Sequence, residues 1–131
     1  MLTAAPMATP LAKYVTTRQA SAITQVPLSR WQGSYRQNGI ASPALTKGEF
    51  QVTRGAVIRA AVLIDLQRCF GEQAVLPLQI AKRLSDEDAE QLLADDDPHI
   101  LLDNGRRRAA YIPLDAEWLA SVRDGLAAIP A

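Results

Sequence analysis

The sequence predicts a mainly α-helical fold with small β-hairpins, and three observations predict it. Residues 16–40 read as a helix, a turn and a second helix. Residues 54–70 carry the strongest helical apolar pattern of the chain and stop at Gly71. Two alternating segments surround turn pairs, Lys47-Gly48 and Asn104-Gly105, of the kind that two-residue hairpins require. Of the 131 residues, 48% are apolar, enough to bury a core and to argue against disorder throughout.

Residues 1–12, with Pro6, Pro10 and many Ala and Thr, are expected to be a flexible N-terminus. Lys13, Tyr14 and Val15 form a β-prone lead-in. Thr16 and Gln19 have the spacing of a capping box, so a helix starts there and runs to about Thr24, with Ala20 and Ile23 inward and Arg18 outward. Gln25, Val26 and Pro27 make the turn. The next helix begins near Leu28 or Ser29 and ends after Asn38, where Gly39 is a good terminating residue. Leu28, Trp31 and Tyr35 mark its core face; Ser29, Arg30, Gln32, Gly33 and Arg36 mark the opposite one. Gly33 inside that helix costs roughly 1 kcal/mol relative to Ala. Two accounts stand open: close approach of a partner to the backbone, or a tolerated imperfection.

A hairpin follows, with strands over residues 44–46 and 49–52 and Lys47-Gly48 at the tip. The helix over 54–70 is apolar nearly all round, so it is either buried or shared between subunits. A further helix covers 76–84, entered through Pro77, and Ser85 with Asp88 caps another. Residues 99–103 and 108–112 form a second hairpin around Asn104-Gly105. A final helix starts at Asp115, shows Trp118, Leu119, Val122 and Leu126 on one side, and stops before Pro130.

Fourteen basic residues balance fourteen acidic ones, but they are not mixed. Residues 1–84 carry ten bases and three acids, and residues 85–131 carry four bases and eleven acids. Before Asp65 only Glu49 opposes Lys13, Arg18, Arg30, Arg36, Lys47, Arg54 and Arg59. Such asymmetry suggests a nucleic-acid face backed by an acidic portion; two well-solvated halves are the simpler alternative. The acidic half would stay off phosphate or face a basic partner.

Cys69 is the only cysteine, so no internal disulfide can form and a reducing cytoplasm is the expected setting. The first residues lack a signal-peptide pattern, and the longest apolar run, residues 60–64, is far short of the ~20 that span a bilayer. Catalysis has little support. Cys69 is expected to be a buried thiol and His99 a surface residue. Asp95, Asp96 and Asp97 lack the pattern of a calcium loop, and no zinc-type Cys/His cluster or phosphate loop is present, so no cofactor or metal is expected. Arg106, Arg107 and Arg108 form either a second basic tip or a local neutralisation of the nearby acids.

Ala22, Ile23, Thr24 and Val26, then Leu28, Ser29, Arg30 and Trp31, and finally Gly39 and Ile40 resemble the DNA-binding domain of MerR-type regulators and the related excisionases. The resemblance covers residues 14–70. It departs at Gln25, which replaces a turn glycine, and in a second helix about one residue longer. It implies a winged helix-turn-helix over residues 13–71, with the second helix in the major groove of double-stranded DNA and the hairpin as a wing on the backbone; many members are dimers. Residues 72–131 match no such pattern and are read as an acidic dimerisation or partner-binding region.

The expected readers of base edges are Ser29, Arg30, Gln32 and Arg36, with Gly33 allowing close approach. Thr17, Arg18, Lys47 and Arg54 are the expected phosphate contacts. A transcription regulator follows, acting as a homodimer assembled through residues after Arg54 on an inverted repeat. The alternative assembly is a monomer in which residues 76–131 cover the long helix. The alternative function is a protein-interaction module, such as an antitoxin or adaptor, whose acidic half binds a basic partner.

Overall fold

The computed structural model describes residues 12–103 and 109–130, and it is mainly α with two small antiparallel sheets. In chain order the elements are β1 (Tyr14–Thr16), α1 (Thr17–Thr24), α2 (Leu28–Gln32), α3 (Ser34–Gln37), β2 (Ala44–Thr46) and β3 (Glu49–Thr53). Then follow α4 (Arg54–Phe70), α5 (Leu76–Arg83), α6 (Asp86–Ala94), β4 (His99–Asp103), β5 (Ala109–Pro113) and α7 (Ala116–Ala127). Among the described residues no helix is long and apolar enough to cross a membrane.

Local chemistry sets the helix starts. Thr16 Oγ1 accepts the Gln19 N–H at 3.1 Å while Gln19 Oε1 accepts the Thr16 N–H at 2.9 Å. Ser85 and Asp88 repeat the arrangement at α6, and Thr53 caps α4 through the Ala56 N–H. After α1 the chain needs a left-handed residue, and Gln25 takes it at φ 63°, a conformation strained for a side chain without glycine's freedom. That explains why the absent turn glycine does not prevent the turn.

The expected single helix over residues 28–38 is instead two short ones. They meet at Gly33, whose φ of −115° and ψ of −97° leave the helical region. Trp31 and Tyr35, on either side of the break, still enter the core and meet edge-to-face with centroids 5.1 Å apart. A Cβ on Gly33 would lie 3.0 Å from the Ser29 carbonyl oxygen, so the break itself uses the missing side chain.

The lead-in segment becomes a true strand. β1 and β2 flank β3 in an antiparallel sheet, with Val15 opposite Val52 and Leu45 opposite Phe50. Lys47 and Gly48 at the β2–β3 tip both have positive φ, 53° and 80°, the geometry of a two-residue hairpin turn matched to strand twist.

α4 is the central element, with its residues from Arg54 to Leu66 largely buried. Its cover comes from the same chain: α5, α6 and α7 all pack on it. Of the two readings of its apolar surface, buried or shared between subunits, the described residues show burial by its own chain. The expectation of a buried Cys69 is corrected: the residue lies past the cover, on the last turn of α4, and is exposed. Buried residues of both halves, from Val15 to Leu126, form one core cluster. α7 is held by Asp65, whose carboxylate accepts the Asp115 N–H at 2.7 Å, and by the Trp118 indole N–H donating to the Ala61 carbonyl at 2.9 Å. In the second hairpin β5 starts at Ala109; Asn104-Gly105 and Arg106 to Arg108 fall outside the described residues.

Candidate nucleic-acid interface

Arg18 is exposed near the start of α1, Ser29, Arg30 and Gln32 are exposed on α2, Arg36 is exposed on α3, and Lys47 is exposed at the hairpin tip. Gly33 is half-buried at the break. One expected phosphate contact does not belong to this surface, and another only edges it. Thr17, at 3% exposure, is set largely into the fold by the first turn of α1, although it borders the same cleft as Arg18. Arg54 is buried and paired: its Nε donates to Glu90 Oε1 at 2.8 Å and its Nη2 to Glu90 Oε2 at 3.3 Å. The sequence shows the charge of Arg54, but its partner lies on α6, thirty-six residues away.

Arg59 is also drawn inward. It donates through Nε to the Ile40 carbonyl at 2.9 Å and through Nη1 to Asp86 Oδ1 at 2.6 Å. Of the seven bases before Asp65, removing Arg54 and Arg59 leaves five exposed: Lys13, Arg18, Arg30, Arg36 and Lys47. The acidic start of α6 thus neutralises part of the basic half within the same molecule.

The remaining candidates fall into two groups. A shallow cleft of about 260 Å³ lies between α1, α2 and the hairpin, lined by Arg18, Leu28, Gln32, Gly48, Glu49 and Phe50. Arg30 is on the other flank of α2, beside Gln67 and Glu72. Helical geometry requires this, since residues two apart are turned by roughly 200° about the axis. Arg30 also faces the Tyr35 hydroxyl; burial pushes that hydroxyl's pKa up, and the Arg30 charge and hydrogen bond act against the rise. Gln32 and Arg30 are therefore not neighbours on one reading edge; exposed Ser29 lies between them on the helix, and Arg36 sits beyond the break. Leu28 and Phe50 were absent from the expected set, although the alternation of β3 marks Phe50 as sharing the face of Val52.

No family model, curated protein or solved structure matches the chain.

Proposed function

We propose that the chain is a sequence-specific regulator of transcription that binds double-stranded DNA as a MerR-like winged helix-turn-helix. α2 and α3 would enter the major groove and the β2–β3 hairpin would serve as the wing. The observation that carries this reading is the cleft in which Arg18, Gln32 and the hairpin tip converge, with exposed Lys47 next to Gly48 at that tip. A protruding polar helix reads base edges, and flanking cations supply affinity through counterion release.

Pairing on an inverted repeat belongs to the proposal because one helix-turn-helix covers little DNA. The flank of α4 is not the surface for it. Exposed Phe70, Val75 and Leu76 around the α4–α5 turn, and Leu101 and Tyr111 on the second hairpin, are apolar side chains placed to make it. The partner-binding alternative loses two of the eleven acids of residues 85–131, since Asp86 and Glu90 are engaged by Arg59 and Arg54.

The test is selection from a randomised duplex library followed by fluorescence anisotropy at several salt concentrations. A selected duplex should bind at least a hundred-fold more tightly than random DNA, since specific sites typically exceed non-specific ones by about 10³ or more. Affinity should fall steeply between about 50 and 200 mM salt. Equal binding of selected and random duplex, or none at low salt, overturns the proposal.

A further inference from the structure

The β2–β3 hairpin is poorly made for holding phosphate. Its only charged side chains are Lys47 and Glu49, so residues 44–53 have no net charge. What it exposes is apolar: Leu45 at 64% and Phe50 at 42%. These two sit directly opposite each other across the strands, and Phe50 is two residues from Val52, which is opposite Val15. Side chains at such positions share one face of a sheet. That face begins in the core, where Val15 and Val52 are buried, and runs beyond the body to end in open solvent at Phe50 and Leu45. It opens onto the cleft beside Arg18, Leu28 and Gln32.

We infer that the hairpin meets DNA as an apolar wedge, with Leu45 and Phe50 entering a base step from the minor groove. The inference rests on the DNA-binding reading above and deepens it. Duplex DNA is the occupant that fits: the apolar pair is flanked by the exposed cations Arg18 and Lys47, in the half of the chain with ten bases and three acids. Leu and Phe are among the side chains that unstack base steps in this way. Paired strands lie about 4.8 Å apart, so a hairpin bearing large side chains fits a minor groove about 6 Å wide only if the groove opens. Wedge insertion opens it by kinking the duplex toward the major groove, in the direction of α2.

The experiment compares the wild type, the double variant Leu45→Ser/Phe50→Ser and Lys47→Ala on the selected duplex. The duplex carries an end-to-end energy-transfer pair and 2-aminopurine at successive steps, and circular dichroism checks that each protein is folded. The wild type should shorten the end-to-end distance and brighten 2-aminopurine at one or two steps. The double variant should bind about ten-fold or more weakly, keep its salt dependence and lose both signals. Lys47→Ala should keep both signals and lose about one unit of salt slope. A double variant that bends DNA like the wild type overturns the wedge, as does wild-type binding without bending. A double variant that binds and bends normally but changes mass in light scattering makes the pair a contact between copies instead. A wild type that binds no duplex defeats the DNA-binding reading itself, and the wedge with it.

Discussion

Trp31 is fully enclosed, yet its indole N–H reaches no acceptor among the described residues. Its value is therefore packing against Tyr35 and the surrounding aliphatic side chains rather than a hydrogen bond. Trp31→Ala should cost roughly 3–5 kcal/mol in a urea titration. Trp31→Phe should cost much less than that, because it removes an unsatisfied buried donor along with some volume. Equal losses in the two variants would mean the N–H is doing more than the geometry allows. Gly55 makes the opposite argument, from space rather than contact. A Cβ there would collide with the Asp86 carboxylate and lie 2.8 Å from the Asp86 Cα. Gly55→Ala should therefore lower stability by about 1–3 kcal/mol, as overpacking does, despite the usual gain of Ala over Gly in a helix.

At the scale of elements, two of the polar contacts that join α4 to what covers it each give a measurable expectation. Arg54 at the start of α4 is buried, forked onto Glu90 of α6, with Nη1 left without a partner among the described residues. Glu90→Gln would leave that charge buried without its counter-ion. Because Glu90 is itself partly exposed, the loss should be about 1–3 kcal/mol, below the 3–5 of a fully buried pair. A double-mutant cycle with Arg54→Met should return a coupling of similar size, and additive losses would show that the pair is not coupled. Asp65 fixes the start of α7. Burial raises its pKa above the ordinary carboxylate range; the Asp115 N–H works against that rise, the Asp115 charge adds to it, and Arg68 lowers it. Folding thus favours the protonated form. The stabilisation is complete below the ordinary Asp pKa and is lost as pH rises through the raised one. Asp65→Asn keeps an acceptor without the charge, so the melting temperature of the variant relative to the wild type should increase from acid to neutral pH. A relative decrease would contradict the assignment.

At the scale of the whole molecule, one core cluster runs through both halves, and Gly125 of α7 packs close against Ile23 of α1. Unfolding monitored by tryptophan fluorescence should accordingly coincide with unfolding monitored by circular dichroism. Trp31 and Trp118 sit in the two halves of the chain, so separate transitions would show that the halves fold independently. The same fold determines how much positive field remains. With Arg54 and Arg59 engaged by α6, replacing either should change the salt slope of DNA binding far less than replacing Arg18, which should remove about one unit.

What could be read from the sequence is local. The Thr16–Gln19 and Ser85–Asp88 boxes, the Lys47-Gly48 turn and the bounds of α4 depend on residues at most a few positions apart, and each has the expected form. Periodicity also identified α4 as a helix wanting cover on every side. It could not say who supplies the cover, because burial by one's own chain and burial by a second copy leave the same apolar pattern. The candidate surface divides in the same way. Exposure of Ser29, Gln32 and Lys47 follows from the phase of their own elements, whereas the loss of Arg54 required knowing that Glu90 arrives beside it. Gly33 announced a cost in the helix, but not that the chain would break there. Charge, cap and period are properties of short segments and are written in them; ion-pair partners and covered faces are properties of segments brought together, and only the packing of α5, α6 and α7 onto α4 decided those.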